Sequence, residues 1–328
     1  MAGERWVGVK AESSYGSPAT LPPMRFLDGS GFDFTPRSGD ELFEGYAERQ
    51  PRRSARGGYD VEWTWDMVPD ATEIGELLKA GFGTVLSTAL GGGMFQHDFA
   101  PKTQDSRLNS LTIWQYLGVE PTSDDIQHDG AYVGRVSLEG AVKKPMLARF
   151  EGGSSKTNLV DLSAQSPSFS NNGILMFSGA VVTLDAVDIS ARVQAARFNF
   201  DNKPDPDSGY GFGSQFKRRA TSDGFLASGE IDLLFENSDM LKRFFGSSSA
   251  TSPTLLPGEF DILCRWLGPI VLGPSNHEVQ VDLDKCVIDT SAMKMQQNKR
   301  LAQNLKFMAR GGPGATNKVR LINNTASY

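Results

Sequence analysis

The run GGSSKT, residues 152–157, has the residue types of a phosphate-binding loop: glycines that free backbone N–H groups, a lysine and a hydroxyl. Phosphate chemistry needs Gly-x-x-x-x-Gly-Lys-Ser/Thr between a strand and a helix, so that the lysine reaches the phosphates that the N–H groups cradle. Here Ser155 rather than glycine precedes Lys156, and the NLVDLSAQSPSF that follows has no helical period. The spacing argues against a nucleotide site. The DPDSG run holding Asp205 and Asp207 resembles a fragment of a calcium loop, but it lacks the final bidentate glutamate and a flanking helix pair. His97, His128 and His277 are scattered, with no neighbouring cysteine and no His-x-x-x-His pair, which disfavours zinc. Cys264 and Cys286 each lie in an apolar, strand-like run and read as reduced core thiols. Asp124-Asp125 has no partner group, and neither a nucleophile elbow, a Cys-His pair nor a dinucleotide turn occurs. The residues therefore read as those of a protein that is not an enzyme and takes no cofactor.

Composition points the same way. The 328 residues are 39% hydrophobic and 22% charged, with 35 glycines and 17 prolines, which suits a soluble, loop-rich, mainly β chain. A net charge of −6 gives no basic footprint for gripping DNA. No run approaches a membrane span and MAGERWVGVKAESSYG has no apolar core, so membrane insertion is not expected and folding in a cytoplasm is.

The glycine run has a second copy: GGSSKTNLVDL (152–162) returns as GGPGATNKVRL (311–321). Phe32-Asp33-Phe34 matches Phe198-Asn199-Phe200, and Arg52-Arg53 matches Arg218-Arg219 at the same separation. After each arginine pair comes an alternating run: Val61, Trp63 and Trp65 share one face of YDVEWTWDM, and Ile231, Leu233 and Phe235 one face of GEIDLLFE. A short helix follows each, over 70–81 and 238–246, opened by an Asp or Asn cap and closed by Gly83 or Gly246. GRVSLEGAV and EVQVDLDKCV are further strands, and PMLARFEGG and LKFMARGG lead into the two copies, each a Gly-Gly turn before a final strand. The spacing divides the chain into units 1–170, with an arm at 36–58, and 171–328, with a linking strand at 174–194 and an arm at 201–224.

The opening ESSYGSPATLPPMRFL (12–27), the arm 36–58, YDVEWTWDMVPDATEIGELLKAGFG (59–83) and their echoes at 198–246 make the chain resemble the tail tube proteins of long-tailed, siphovirus-like bacteriophages. The resemblance implies two tandem β-sandwich or barrel-like units, each with one short helix and a long arm loop. It also implies a structural virion protein, the major tail tube subunit, whose rings stack into a conduit for DNA. Inner sheets of neighbouring copies would join into one barrel. With two units per chain, three copies supply six units, so a trimeric ring is expected over a hexamer. Further implied partners are the tape-measure protein and transiting DNA in the lumen, and the terminator and distal tail proteins at the ends. The implied location is the virion tail, assembled in the host cytoplasm. A distal tail or baseplate ring of the same ancestry is an alternative reading. A carbohydrate-binding β-sandwich, suggested by the tryptophans, is another.

If the polar strand faces line a lumen, Glu62, Glu139, Asp232 and Asp282 place carboxylates there to repel phosphates; an ordinary solvated face is the rival reading. Arg52, Arg53, Arg218 and Arg219 are expected to pair with acidic groups of the next ring, or else to solubilise a loop. Phe43, Tyr46, Tyr210, Phe212 and Phe216 are aromatics in polar arms and mark a stacking surface, so deleting 38–56 or 205–222 is expected to leave a folded chain that cannot stack. Trp63, Trp65, Trp114 and Trp266 share strand faces with Val and Ile and read as core.

Overall fold

Alternation dictates the sheet. In the computed structural model Tyr59–Met67 is a strand with Val61, Trp63 and Trp65 buried and Glu62 and Asp66 exposed. Leu226–Leu234 repeats the pattern, with Ala227, Ile231 and Leu233 buried and Asp232 exposed. The structure describes residues 5–328 apart from 22–24, 29–30, 39–40, 45–50, 56, 103–106, 119–123, 170–172, 206–208, 248, 256, 273–274, 295–300 and 312–315. For 25–28, 41–44, 51–55, 269–272, 275 and 294 the description is limited to the backbone.

The N-terminal half runs β1 (Trp6–Ala11), β2 (Arg25–Asp28), β3 (Phe32–Ser38), β4 (Glu41–Glu44), β5 (Pro51–Ala55), β6 (Tyr59–Met67), α1 (Gly75–Phe82), β7 (Gly83–Gly91), β8 (Met94–Pro101), β9 (Leu111–Tyr116), β10 (Asp125–Ala141), β11 (Leu147–Ser154) and β12 (Lys156–Val160). The C-terminal half runs β13 (Ala180–Leu184), β14 (Val187–Asp188), β15 (Val193–Asp201), β16 (Leu226–Leu234), α2 (Asp239–Phe245), β17 (Glu259–Leu272), β18 (Ser275–Lys294), β19 (Ala302–Ala309) and β20 (Lys318–Asn323). The fold is mainly β, as the alternating runs require.

Strands β3, β6, β11, β10, β15, β16, β19 and β18 are hydrogen-bonded in that order into one antiparallel sheet. Its middle join, β10 to β15, runs from Arg135↔Asp201 to Ala141↔Ala195 and links four strands of one half to four of the other. A second layer orders β2, β1, β9, β10 and β12 in the N-terminal half. In the C-terminal half it orders β14, β13, β17, β18 and β20, with the β7–β8 hairpin added to β20. β10 and β18, 17 and 20 residues long, serve both layers. In β10 the register shifts between His128 and Ala131, where Gly130 has φ +62°, and again between Val133 and Arg135; bulges of this kind bend a strand from one layer into the next. Trp63, Trp65, Phe150, Phe198, Trp266 and Phe307 fill the space between layers, and Trp114 packs with Trp6 and Leu162 in a smaller cluster.

Several sequence expectations change. Gly152 and Gly153 are not a turn: they lie inside β11, opposite Trp63 and Glu62 of β6. A Cβ on Gly152 would sit 1.8 Å from the Tyr132 carbonyl oxygen and 2.8 Å from the Trp63 ring, so the glycine permits a close approach. Of the second copy, Gly311 follows β19 and 312–315 lie outside the described residues. α1 begins at Gly75 rather than 70, because Asp70 first closes a turn by accepting the Thr72 N–H (2.7 Å). It ends at Gly83 (φ +90°), whose N–H donates to the Lys79 carbonyl. The linking strand expected over 174–194 is two short strands, β13 and β14, before β15 begins.

Candidate assembly surfaces

One face of the eight-stranded sheet is covered by buried apolar side chains and the other is polar. Cross-strand register sets its rows: Asp66, Arg149, Ser137, Asn199 and Ser228 in one, and Leu147, Glu139, Arg197, Glu230 and Lys306 in the next. Arginine and carboxylate alternate and meet. Arg197 lies 2.5 Å from Glu139, Arg37 2.7 Å from Glu62, and Arg149 2.7 Å from Glu151 and 3.5 Å from Asp66. Arg135 bridges the β10–β15 join, 3.3 Å from Glu151 and 3.1 Å from Asp201. Asn304 donates to both Glu230 (2.6 Å) and Asp232 (2.7 Å). The centre of the face is a shallow concavity of about 540 Å³. Such exposed pairs add little stability, at most about 1 kcal/mol each; their effect is to tie up the cations.

Glu62, Glu139 and Asp232 share this face. Asp282 does not: it lies in the part of β18 paired to β17 and β20, 3.8 Å from Lys318. Burial there, only partly offset by Lys318, raises its carboxyl above the usual range.

Both ends of the sheet are open among the described residues. β3 pairs with β6 on one side, and residues 288–294 of β18 pair with β19 on one side. A row of unsatisfied backbone groups at a sheet edge is a template for another strand.

The second arm is not a free stacking arm. It lies across the N-terminal half, where the Lys217 side chain is 1% exposed and its ammonium sits 2.7 Å from Asp60 and over the rings of Tyr132 and Tyr210. Tyr59 donates its N–H to the Gln215 carbonyl (2.8 Å), Leu108 to that of Ala220 (3.0 Å), and the Ser155 hydroxyl to that of Lys217 (2.7 Å). Phe216 packs edge-on against Tyr59, and the Tyr210 hydroxyl donates to the Tyr59 carbonyl. Buried Asn202, at the arm's root, donates to the carbonyls of Gly81 (2.6 Å) and Val133 (3.0 Å). Deleting 205–222 therefore removes packing as well as surface. Phe212 is fully exposed and Arg218 donates to its carbonyl (3.3 Å), while exposed Arg219 lines a groove with Tyr15, Lys79 and Arg107. In the first arm β4 and β5 form a hairpin, Phe43 opposite Arg53. The side chains of Phe43, Arg52 and Arg53, and all of Tyr46, lie outside the described residues. Sequence reasoning missed Lys217, Asp60 and Asn202; a lysine in a polar loop carries no local mark of burial.

These surfaces define a class: a β protein with a wide polar sheet face whose two ends are open among the described residues. The chain matches the model of the phage tail tube protein family over residues 7–259, and it belongs to that family. It is a structural protein of the bacteriophage virion, located in the tail, where it assembles into the tube. No curated protein matches the chain. No helix among the described residues is long and apolar enough to cross a membrane.

Proposed function

We propose that the chain is the major tube subunit and that three copies close each ring, β3 of one copy pairing with residues 288–294 of β18 in the next. The carrying observation is the β10–β15 join, where the last strand of the order β3, β6, β11, β10 meets the first of the order β15, β16, β19, β18. The two orders correspond strand for strand, which supports reading 1–170 and 171–328 as tandem units. The intrachain join is then a template. Phe150 pairs with Val136 as Phe307 does with Ile288, and Phe34 and Phe200 hold matching places in β3 and β15. Val136↔Phe200 and Ser137↔Asn199 translate into Ile288 opposite Phe34 and Thr290 opposite Asp33, with Asp289 in the bulge. Closing the ring removes both open edges.

In such a ring the polar face lines the lumen. Its arginines are held by neighbouring carboxylates, and its carboxylates outnumber its cations, so DNA carrying about one charge per 1.7 Å meets no free basic stripe and slides. Asp282 leaves the lumen set, and Arg135, Arg149 and Arg197 join it as paired cations. The lumen holds the tape-measure protein before DNA passes, and terminator and distal tail proteins cap the ends. The exposed Phe212, Arg218 and Arg219 contribute to contacts between stacked rings.

Native mass measurement of purified rings tests the count. Three chains are expected, and rings of six whole chains would sink the trimer. Chain copies per particle separate a major subunit, on the order of a hundred, from a single distal ring.

A further inference from the structure

The outer layers of the two halves differ at one edge. In the C-terminal half β20 is covered: β8 pairs with it from Val319↔Phe99 to Asn323↔Phe95, Arg320 forks onto Asp98 (2.7 and 3.4 Å), and Val319 and Leu321 are fully buried. In the N-terminal half the strand in that position is β12, which pairs with β10 alone among the described residues. Leu159 on it is 69% exposed. Parity places Leu159 on the face of Thr157, whose hydroxyl lies 3.0 Å from Nδ1 of buried His128, and the His128 ring meets that of Phe34 at 4.9 Å. An inward-facing leucine left in the open marks a contact surface.

The fold itself indicates the occupant. The hairpin that covers β20 leaves α1 at Gly83; the segment that leaves α2 at Gly246 holds the same place in the order of elements of the other half. Thr254 donates both its N–H (2.8 Å) and its hydroxyl (2.9 Å) to the Phe245 carbonyl, which ties this turn to the end of α2, and the adjacent Leu255 is fully exposed. Across the β10–β15 join Phe82 packs on Phe200 at 4.9 Å; Phe245 and Phe34, in the matching places, are each half-buried.

We infer that the turn 251–255 of one copy covers the β12 edge of the next copy in the ring, with Leu255 over Leu159 and Phe245 against Phe34. The contact rests on the three-copy ring proposed above. Pro253 lacks an N–H, so the turn covers the edge through side chains rather than as a full added strand. The outside of the ring is then threefold and not sixfold: three edges carry the long β7–β8 hairpin within a chain and three carry the short turn between chains.

A Leu159→Cys/Leu255→Cys double variant, oxidised after assembly, tests the contact, with ring formation followed separately by sedimentation of the unoxidised protein. Cys264 and Cys286 are buried and give little background. Most chains should join in a ladder ending at three, and neither single variant should produce it. Rings that sediment normally yet stay unlinked overturn the contact. So do dimers from Leu159→Cys alone, which require a twofold face. Failure of the unaltered chain to form rings sinks the ring reading itself, and the contact with it. In a second variant, Leu255→Asp, ring assembly should weaken by about tenfold or more, from the lost burial of one leucine, with monomer melting unchanged. Unchanged assembly overturns the contact.

Discussion

Lys217 illustrates what one buried cation does in this fold. Its partner Asp60 is itself about a quarter exposed (26%), so truncation leaves a carboxylate that water can still reach. Lys217→Ala should cost about 2 kcal/mol, below the usual range for breaking a buried pair, read as a lower urea midpoint with early loss of protection in 209–221. Gly152→Ala pushes a methyl into the Tyr132 carbonyl and the Trp63 ring and should cost about 3 kcal/mol as the β6–β11 pairing shifts. His128 supplies a pH signal. Burial lowers its pKa to about 4, so the unfolded chain takes up a proton near pH 6.5 that the folded chain refuses. Its contribution is complete above about 6.5 and is lost as pH falls towards 4, amounting to about 2 kcal/mol between 6.5 and 5. Urea midpoints at pH 7 and 5 check this: the difference should shrink in His128→Gln, and an equal difference in both proteins would refute it.

At the scale of elements, the β7–β8 hairpin belongs to one half by sequence and to the other by pairing. Besides the Arg320–Asp98 fork, buried His97 contacts the Ser87 hydroxyl and the Thr325 carbonyl. Burial alone would raise Asp98, but the hydrogen bond and charge of Arg320, with Lys318, outweigh it and hold the carboxyl below its ordinary value. Replacing 84–100 by a short turn should bare β20, abolish amide protection over 319–323 and promote aggregation through the freed edge. Retained protection there would show that β20 does not need the hairpin. The second arm similarly ties the halves together, so its removal should lower stability before any effect on stacking is read.

For the whole molecule, the ring proposed above makes the balance of charge on the polar sheet face the quantity to test. A Glu62→Lys/Asp232→Lys variant keeps the rows, frees Arg37 from its carboxylate partner and adds two cations to the face. Tubes of the unaltered chain should not retain double-stranded DNA at about 0.1 M salt, whereas variant tubes should, with retention falling steeply as salt rises. Equal, weak retention by both would remove these two residues from the lumen wall.

The sequence by itself determined the strands with clean alternation, the buried tryptophans and the glycine ends of both helices. Each depends on period or on chemistry a few residues long. Tertiary structure alone decided that β10 meets β15, that Lys217 of the second arm is buried against the N-terminal half, and that β8 crosses to β20. Those are pairings between distant segments, and nothing local encodes which edge a strand will find. It also separated Asp282 from Glu62, Glu139 and Asp232. Parity counted along β18 does not survive a strand that bends between layers, because every bulge shifts the residues after it to the opposite face.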